Sequence, residues 1–225
     1  MKRSLLTALV FLAVFTSLYG QDEGRFALGF RGGIQIGVSS SHDDYNNFLS
    51  ANNSKEDVSP NPNLALYGVY GFSDYIGLQT ELNFMIDQGK MASRKDDSSA
   101  TIEMTYSTLD IPILLRINFL SGDARFGILA GPYLTFPLGQ ASSKFEAYTG
   151  VSDSDDDIST PIFGFTAGLF YSNSFMPKGR WIVDLRYLQD FGYSTIKKYG
   201  PWGSSDFGFM MRQGIIISVG LDFTL

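Results

Sequence analysis

Hydrophobic residues recur at every second position through most of this chain. In segment 26–38, Phe26, Leu28, Phe30, Ile34, Ile36 and Val38 share one parity, while Ala27, Gly29, Arg31, Gly33, Gln35 and Gly37 hold the other. A period of two is that of an extended strand, whose successive side chains point to opposite faces. The same dyad runs through 76–86, where Ile76, Leu78, Leu82, Phe84 and Ile86 oppose Gly77, Gln79, Glu81 and Asn83. It returns in 109–119, where Leu109, Ile111, Ile113, Leu115, Ile117 and Phe119 oppose Asp110, Pro112, Arg116 and Asn118. Segments 64–72, 125–138, 162–172 and 180–191 alternate less cleanly and are read as strands too. The chain closes with Ile215, Ile217, Val219, Leu221, Phe223 and Leu225 against Gly214, Ser218, Gly220, Asp222 and Thr224, which brings the total to about eight strands.

The connections alternate in length. Those at 72–75, 120–124 and 173–179 are short, whereas 40–63, 87–100, 140–160 and 192–213 are long. Short turns at one end and long loops at the other are expected of an up-and-down barrel in the outer membrane. Pro112, which has no amide hydrogen, predicts a bulge near a slip of parity between Tyr106 and Thr108.

Alternation alone does not say whether the apolar face points into a soluble core or out into lipid, and lysine decides it. Lys2, Lys55, Lys90, Lys95, Lys144, Lys178, Lys197 and Lys198 all fall outside the interiors of the predicted strands. A soluble barrel would set lysine along its wet exterior; here the second face is mostly small or uncharged, as suits a narrow lumen. Phe26, Tyr75, Phe119, Phe126, Trp181 and Phe223 cluster near the turn ends and predict an interfacial girdle. The fold class expected is therefore all-β, a closed antiparallel transmembrane barrel.

Export is expected as well. Lys2 and Arg3 precede an apolar run at 5–15, then Ser17, Leu18, Tyr19 and Gly20, the layout of a signal peptide over 1–20 ahead of a barrel domain over 21–225. The run is shorter than the ~20 apolar residues of a membrane-spanning helix. Loss of Lys2 and Arg3 takes the formal net charge from −6 to −8, which argues against nucleic acid as a partner. There is no cysteine, hence neither a disulfide framework nor a thiolate metal site.

The last residues carry a resemblance. Ser218, Gly220, Phe223 and Leu225 fit the polar-x-Gly-x-x-hydrophobic-x-hydrophobic assembly signal of outer-membrane barrels, with Leu225 where an aromatic is commoner. Further fragments, Gly77-Leu-Gln-Thr-Glu-Leu82 with Asp87-Gln-Gly89, Leu109-Asp-Ile-Pro-Ile-Leu-Leu-Arg116, Leu129-Ala-Gly-Pro-Tyr133 and Asp184-Leu-Arg-Tyr187, resemble the porin-like and PorT-like "outer membrane protein beta-barrel domain" over most of the chain. The resemblance implies fold and location, outer-membrane lipid and the barrel-insertion machinery as partners, and no single activity.

The second face carries Arg31, Glu81, Asp110, Arg116, Asp184, Arg186 and Asp222. Charges inside a narrow barrel are costly unless paired, so these seven are expected to form one ion-pair network that plugs the lumen. No cofactor, metal or enzymatic activity is expected. His42 follows Ser39, Ser40 and Ser41 on an extended chain where neighbours point apart, and the acidic run Asp153-Ser-Asp-Asp-Asp157 lacks the glycine and spaced glutamate of an EF-hand loop. The odd apolar parity runs back past Gln213 to Met211, Phe209 and Phe207, longer than the ~9 to 11 residues that cross a bilayer. Together with Trp202, Phe207 and Phe209 would either pack under 140–160 or offer an apolar edge to an extracellular ligand. A structural or surface-interaction role through acidic loops is the first expectation. Small-solute transport or PorT-like help in secretion is the second.

Overall fold

The computed structural model describes residues 26–40, 55–57, 59–95, 98–120, 122–147, 150–157, 161–192, 194–200, 203–209 and 211–225. Segment 1–20, His42 and Trp202 lie outside them. Eight long strands form the wall: β1 (Phe26–Ser40), β3 (Ser59–Gly71), β4 (Ile76–Lys95), β5 (Ser98–Asn118), β6 (Ala124–Ala147), β8 (Ile162–Met176), β9 (Gly179–Asp190) and β12 (Met211–Thr224). Each pairs antiparallel with its neighbours in chain order, and β1 pairs with β12 from Ala27↔Thr224 to Ser40↔Met211, so the sheet closes on itself. Closure leaves the wall without a free edge, the condition for a sheet to cross a membrane. Four shorter strands lie toward the long-connection end. β2 (Lys55–Asp57) pairs with β4, β7 (Gly150–Asp157) folds back on β6, and β10 (Ser194–Gly200) and β11 (Gly203–Phe209) form a separate two-stranded sheet.

The apolar parity faces outward. Leu64, Leu66 and Val219 are 66%, 64% and 60% exposed, and Phe30, Leu82, Ile113, Leu169, Leu185 and Ile217 continue the same belt around the wall. Exposure of this extent would be untenable in water and is what a lipid-facing surface requires. Tyr75, Phe119, Phe126 and Trp181 form part of a ring at the short-turn end, joined by Phe72, Tyr171 and Phe175. The Phe119 and Phe126 rings lie 5.9 Å apart, those of Tyr171 and Trp181 5.3 Å.

Three expectations are corrected. The segments 87–100 and 140–160 are largely strand: β4 and β5 stay paired out to Lys95↔Ser98, and β6 pairs with β7 from Gln140↔Asp157 to Ala147↔Gly150. Once a hairpin clears the bilayer both faces are wet, so the dyad pattern fades while backbone groups still need partners. Lys90, Lys95 and Lys144 therefore sit on strands, as do Lys55 on β2 and Lys197 and Lys198 on β10. Second, Tyr106 points inward like Thr108, so β5 keeps its parity there. The register shift between Thr105 and Ser107 is taken up on β6, where Gly139 adopts φ 76°, a left-handed conformation that glycine holds without a Cβ penalty. Third, Pro112 makes no bulge. The β4–β5 ladder runs to Thr80↔Ile113, resumes at Asn83↔Asp110, and lapses equally on both strands between. Pro132 on β6 coincides with a like interruption, between Pro112↔Tyr133 and Leu115↔Ala130. A missing amide hydrogen removes ladder bonds without changing the register.

Candidate functional site

The lumen is packed in layers, and the inward residues of β9 read them off in order from turn end to loop end: Arg180, Ile182, Asp184 with Arg186, Leu188, Asp190. Ile182 belongs to an apolar layer with Tyr67, Leu114, Leu129 and Phe170, against which Val69 packs. Leu188 belongs to a second, with Met85, Tyr133 and Ile216. Two glycines make room for the tyrosines. A Cβ on Gly29 would run into the Tyr67 ring directly opposite, and one on Gly164 into that of Tyr133.

The central ionic layer is balanced. Arg31 Nη2 lies 2.5 Å from Glu81 Oε2 and its Nη1 3.2 Å from Asp184 Oδ2. Arg186 Nη1 lies 2.8 Å from Glu81 Oε1 and its Nε 3.0 Å from Asp184 Oδ1. Ser218 Oγ donates to Asp184 Oδ1 at 2.8 Å, and Gln79 Nε2 donates to Glu81 Oε1 at 2.5 Å. All four charged groups are buried, so each guanidinium spans both carboxylates in a medium where an unpaired charge would cost several kcal/mol.

The outer ionic layer centres on Arg212. Its Nε and backbone N donate to Asp190 Oδ2 at 3.1 and 2.8 Å. Nη1 reaches Asp87 Oδ2 at 3.2 Å and Thr108 Oγ1 at 3.1 Å, while Nη2 reaches Asp110 Oδ1 at 3.0 Å and Thr135 Oγ1 at 2.5 Å. Neutral donors supplement it: Tyr133 Oη to Asp190 Oδ1 at 2.5 Å, Thr135 Oγ1 to Asp110 Oδ1 at 2.7 Å, Asn61 Nδ2 to Asp87 Oδ1 at 3.2 Å. Between the two ionic layers a cavity of about 20 Å³ remains, room for about one water.

A family model described as outer membrane protein beta-barrel domain matches residues 19–225. This chain belongs to that family. Its place is the bacterial outer membrane. No curated protein matches it in sequence. Among solved structures, the outer membrane protein OprG from Pseudomonas aeruginosa is similar at 12% identity with a TM-score of 0.55, over 90% of this chain and 98% of that one. A major outer membrane protein from Thermus thermophilus aligns at 11% identity and TM-score 0.49, over 88% and 98%. Ail, the attachment invasion locus protein of Yersinia pestis, aligns at 14% and 0.45, over 90% and 100%. At such identity the likeness to OprG is one of fold.

Set in this family's barrel, the seven predicted lumen charges separate into three places. Arg31, Glu81, Asp184 and Arg186 come together in the central layer. Asp110 instead joins Arg212 one layer outward. Arg116 lies with its Cζ 3.9 Å from the centroid of the Phe170 ring and donates from Nη1 to Gln79 Oε1 at 3.3 Å; Asp222 is buried near the turn end, its Oδ1 without a hydrogen-bond partner. One network of seven is thus replaced by two ionic layers with an apolar layer between them and a turn-end group that Gln79 links to the central layer, accepting from Arg116 and donating to Glu81. Arg212, Asp87 and Asp190 were missed. Each shares the inward parity of a recognised charge, Arg212 that of Asp222 on β12, Asp87 that of Glu81 on β4 and Asp190 that of Asp184 on β9, and extending the parity to 212 and 87 would have found the first two.

The terminal signal residues have lumen and ladder positions. Ser218 is part of the central layer, Gly220 pairs with both Arg31 and Ile182, Phe223 pairs with Leu28 and Gly179, and the Leu225 amide donates to the Phe26 carbonyl at 3.0 Å. Phe207 and Phe209 do not extend β12 as one protruding strand; they lie on β11, opposite Ile196 and Ser194 of β10, which in turn lies beside β7. Their side chains are outside the described residues.

Proposed function

We propose that this barrel acts at the cell surface, as an adhesin-like or structural protein whose lumen carries no solute. The observation that carries the reading is the filled lumen, two ionic and two apolar layers with about 20 Å³ left between the ionic ones. Wall strands of 20, 21 and 24 residues in β4, β5 and β6 far exceed the ~9 to 11 a bilayer needs, so they raise β2 and β7 well beyond the lipid. That projection carries Glu56-Asp57 and Asp153-Ser-Asp-Asp-Asp157, a display suited to a basic partner by long-range attraction. The test is twofold. Refolded protein should be silent in planar bilayers, and expressing cells should attach to a cationic surface in a salt-sensitive way that is lost when Asp153, Asp155, Asp156 and Asp157 are all changed to Asn. Steady conductance, or attachment indifferent to those substitutions, would overturn the reading.

Small-solute transport is the second reading, favoured by the interrupted ladder at Pro112. Beside it the outer wall has an apolar hollow of about 300 Å³ lined by Leu28, Leu66, Leu82 and Ile111, with Glu81 at its inner side. An apolar solute could leave sideways there only if the central layer opens. Uptake by proteoliposomes that falls when Pro112→Ala restores the ladder would favour this reading over the first.

A further inference from the structure

At the turn end the packing stops, and the lumen opens into a cavity of about 310 Å³ bounded by β1, β3, β4, β5, β6, β9 and β12. Three guanidinium groups line it, Arg116, Arg125 and Arg180, against the carboxylates of Asp222 and, at the rim, Asp74. The side chains are left incompletely satisfied. Arg125 Nε, Asn118 Oδ1 and Asp222 Oδ1 are buried with no hydrogen-bond partner. Arg180 is held to the turn, donating to the carbonyls of Gly122 at 2.8 Å and Asp123 at 3.1 Å. Asn118 Nδ2 is likewise committed, to the Asp74 carbonyl at 2.7 Å. The charges of the two ionic layers all sit in direct contact with a counter-charge, so unpaired groups of both signs around one open space mark a place shaped for something else.

The unmet groups define that ligand. An orphaned guanidinium N–H beside further arginines calls for an oxyanion, and guanidinium forks match phosphate oxygens well. Two orphaned acceptors, one of them a carboxylate, call for a hydroxyl or ammonium donor on the same molecule. Phe26, Val69, Phe72 and Ile76 supply an apolar wall for the linking carbons. We propose that this mouth binds a small phosphate ester bearing a donor group, of the phosphoethanolamine kind, with the phosphate on Arg125 and Arg116 and the donor on Asp222 and Asn118. Two sources share that chemistry at the periplasmic face, a free solute and the headgroup of a lipid in the adjoining leaflet.

The full chain in phosphatidylcholine nanodiscs is titrated with O-phosphoethanolamine and, separately, with inorganic phosphate. Saturable binding at about 1 mM or tighter is expected for the ester. Arg125→Gln should weaken both probes about tenfold, the loss of one charge-assisted hydrogen bond. Asp222→Asn should weaken the ester while strengthening inorganic phosphate, because it removes the partner of the donor and a repulsion against the anion. Neither residue makes a direct ion pair among the described residues, but Asp222 balances Arg116, Arg125 and Arg180 across the cavity, so heat-modifiable migration checks that both variants fold. Repeating the titration in phosphatidylethanolamine nanodiscs names the source: competition by the bilayer indicates the lipid headgroup, unchanged affinity a free solute, and either upholds the site. Absence of saturable binding, or Arg125→Gln binding as the original does, overturns the proposal, and an Asp222→Asn variant with an unchanged ratio of the two affinities overturns its donor half.

Discussion

In the central ionic layer two guanidinium groups face two carboxylates, whereas in the outer layer Arg212 is, among the described residues, the one cation that serves Asp87, Asp110 and Asp190. Both are buried, yet they are held together differently. The central layer is reciprocal: each charge touches both opposite charges, and loss of one member leaves the others a partner. The outer layer is a hub. Among the described residues its carboxylates reach one another through Arg212, and Tyr133, Thr135, Thr108 and Asn61 provide the neutral hydrogen bonds that make three acids beside one base tolerable. How a buried charge is shared therefore matters more than how many pairs can be counted.

Removing the hub should have the largest effect. Arg212→Met leaves three buried carboxylates uncompensated and should destabilise the barrel by roughly 5 kcal/mol, the upper end for breaking a buried ion pair. Urea unfolding in lipid vesicles measures it, and a loss no greater than that of Arg186→Met would remove the distinction between the layers. Next come two neutralised acids. Glu81→Gln leaves Arg31 and Arg186 competing for Asp184 and should cost about 3 kcal/mol. Asp110→Asn lowers the acid excess around Arg212 and should cost under about 1 kcal/mol, since the amide oxygen still accepts from Thr135. Equal midpoints for the two variants would mean that the two layers share buried charge in the same way.

Coupling energies sharpen it further. A double-mutant cycle on Arg186 and Asp184, within one layer, should give roughly 1 to 3 kcal/mol, while Arg186 with Asp87, across layers, should be additive within about 0.5 kcal/mol. The smallest effect has the opposite sign. Pro112→Ala returns an amide to the interrupted ladder and should stabilise by about 0.5 to 1 kcal/mol, read as slower heat-induced loss of the folded gel band.

The outward face was legible in the sequence because lipid demands apolar residues at every alternate position, and β1, β4, β5 and β12 follow that demand closely where they cross. The inward face was less so. The segments that alternated poorly were those of β3, β6, β8 and β9, and these strands carry Tyr67, Leu129, Tyr133, Phe170, Ile182 and Leu188 into the apolar layers. An apolar residue on the polar parity looks like noise to a search for alternation. Asp190 was hidden otherwise: it lay inside a predicted strand on the inward parity, but its cationic partner, Arg212, had been assigned to a loop. Pairing between neighbouring strands, with Gln213↔Gln189 of β12 and β9 beside them, is a three-dimensional fact that no one-dimensional period reports.

The layering on β9 also answers a question of alignment during assembly. A strand that slips by one residue turns its apolar face inward and is rejected at once, but a slip of two keeps every side chain on its proper face. Alternation is blind to that error. On β9 the inward order Arg180, Ile182, Asp184, Arg186, Leu188, Asp190 is not. Moved two places toward the turns, Leu188 would stand among Arg31 and Glu81, and Arg186 would be where Asp184 should receive Ser218. The stack of unlike layers thus works as a combination lock, in which the chain seals only when every strand has stopped at its own height.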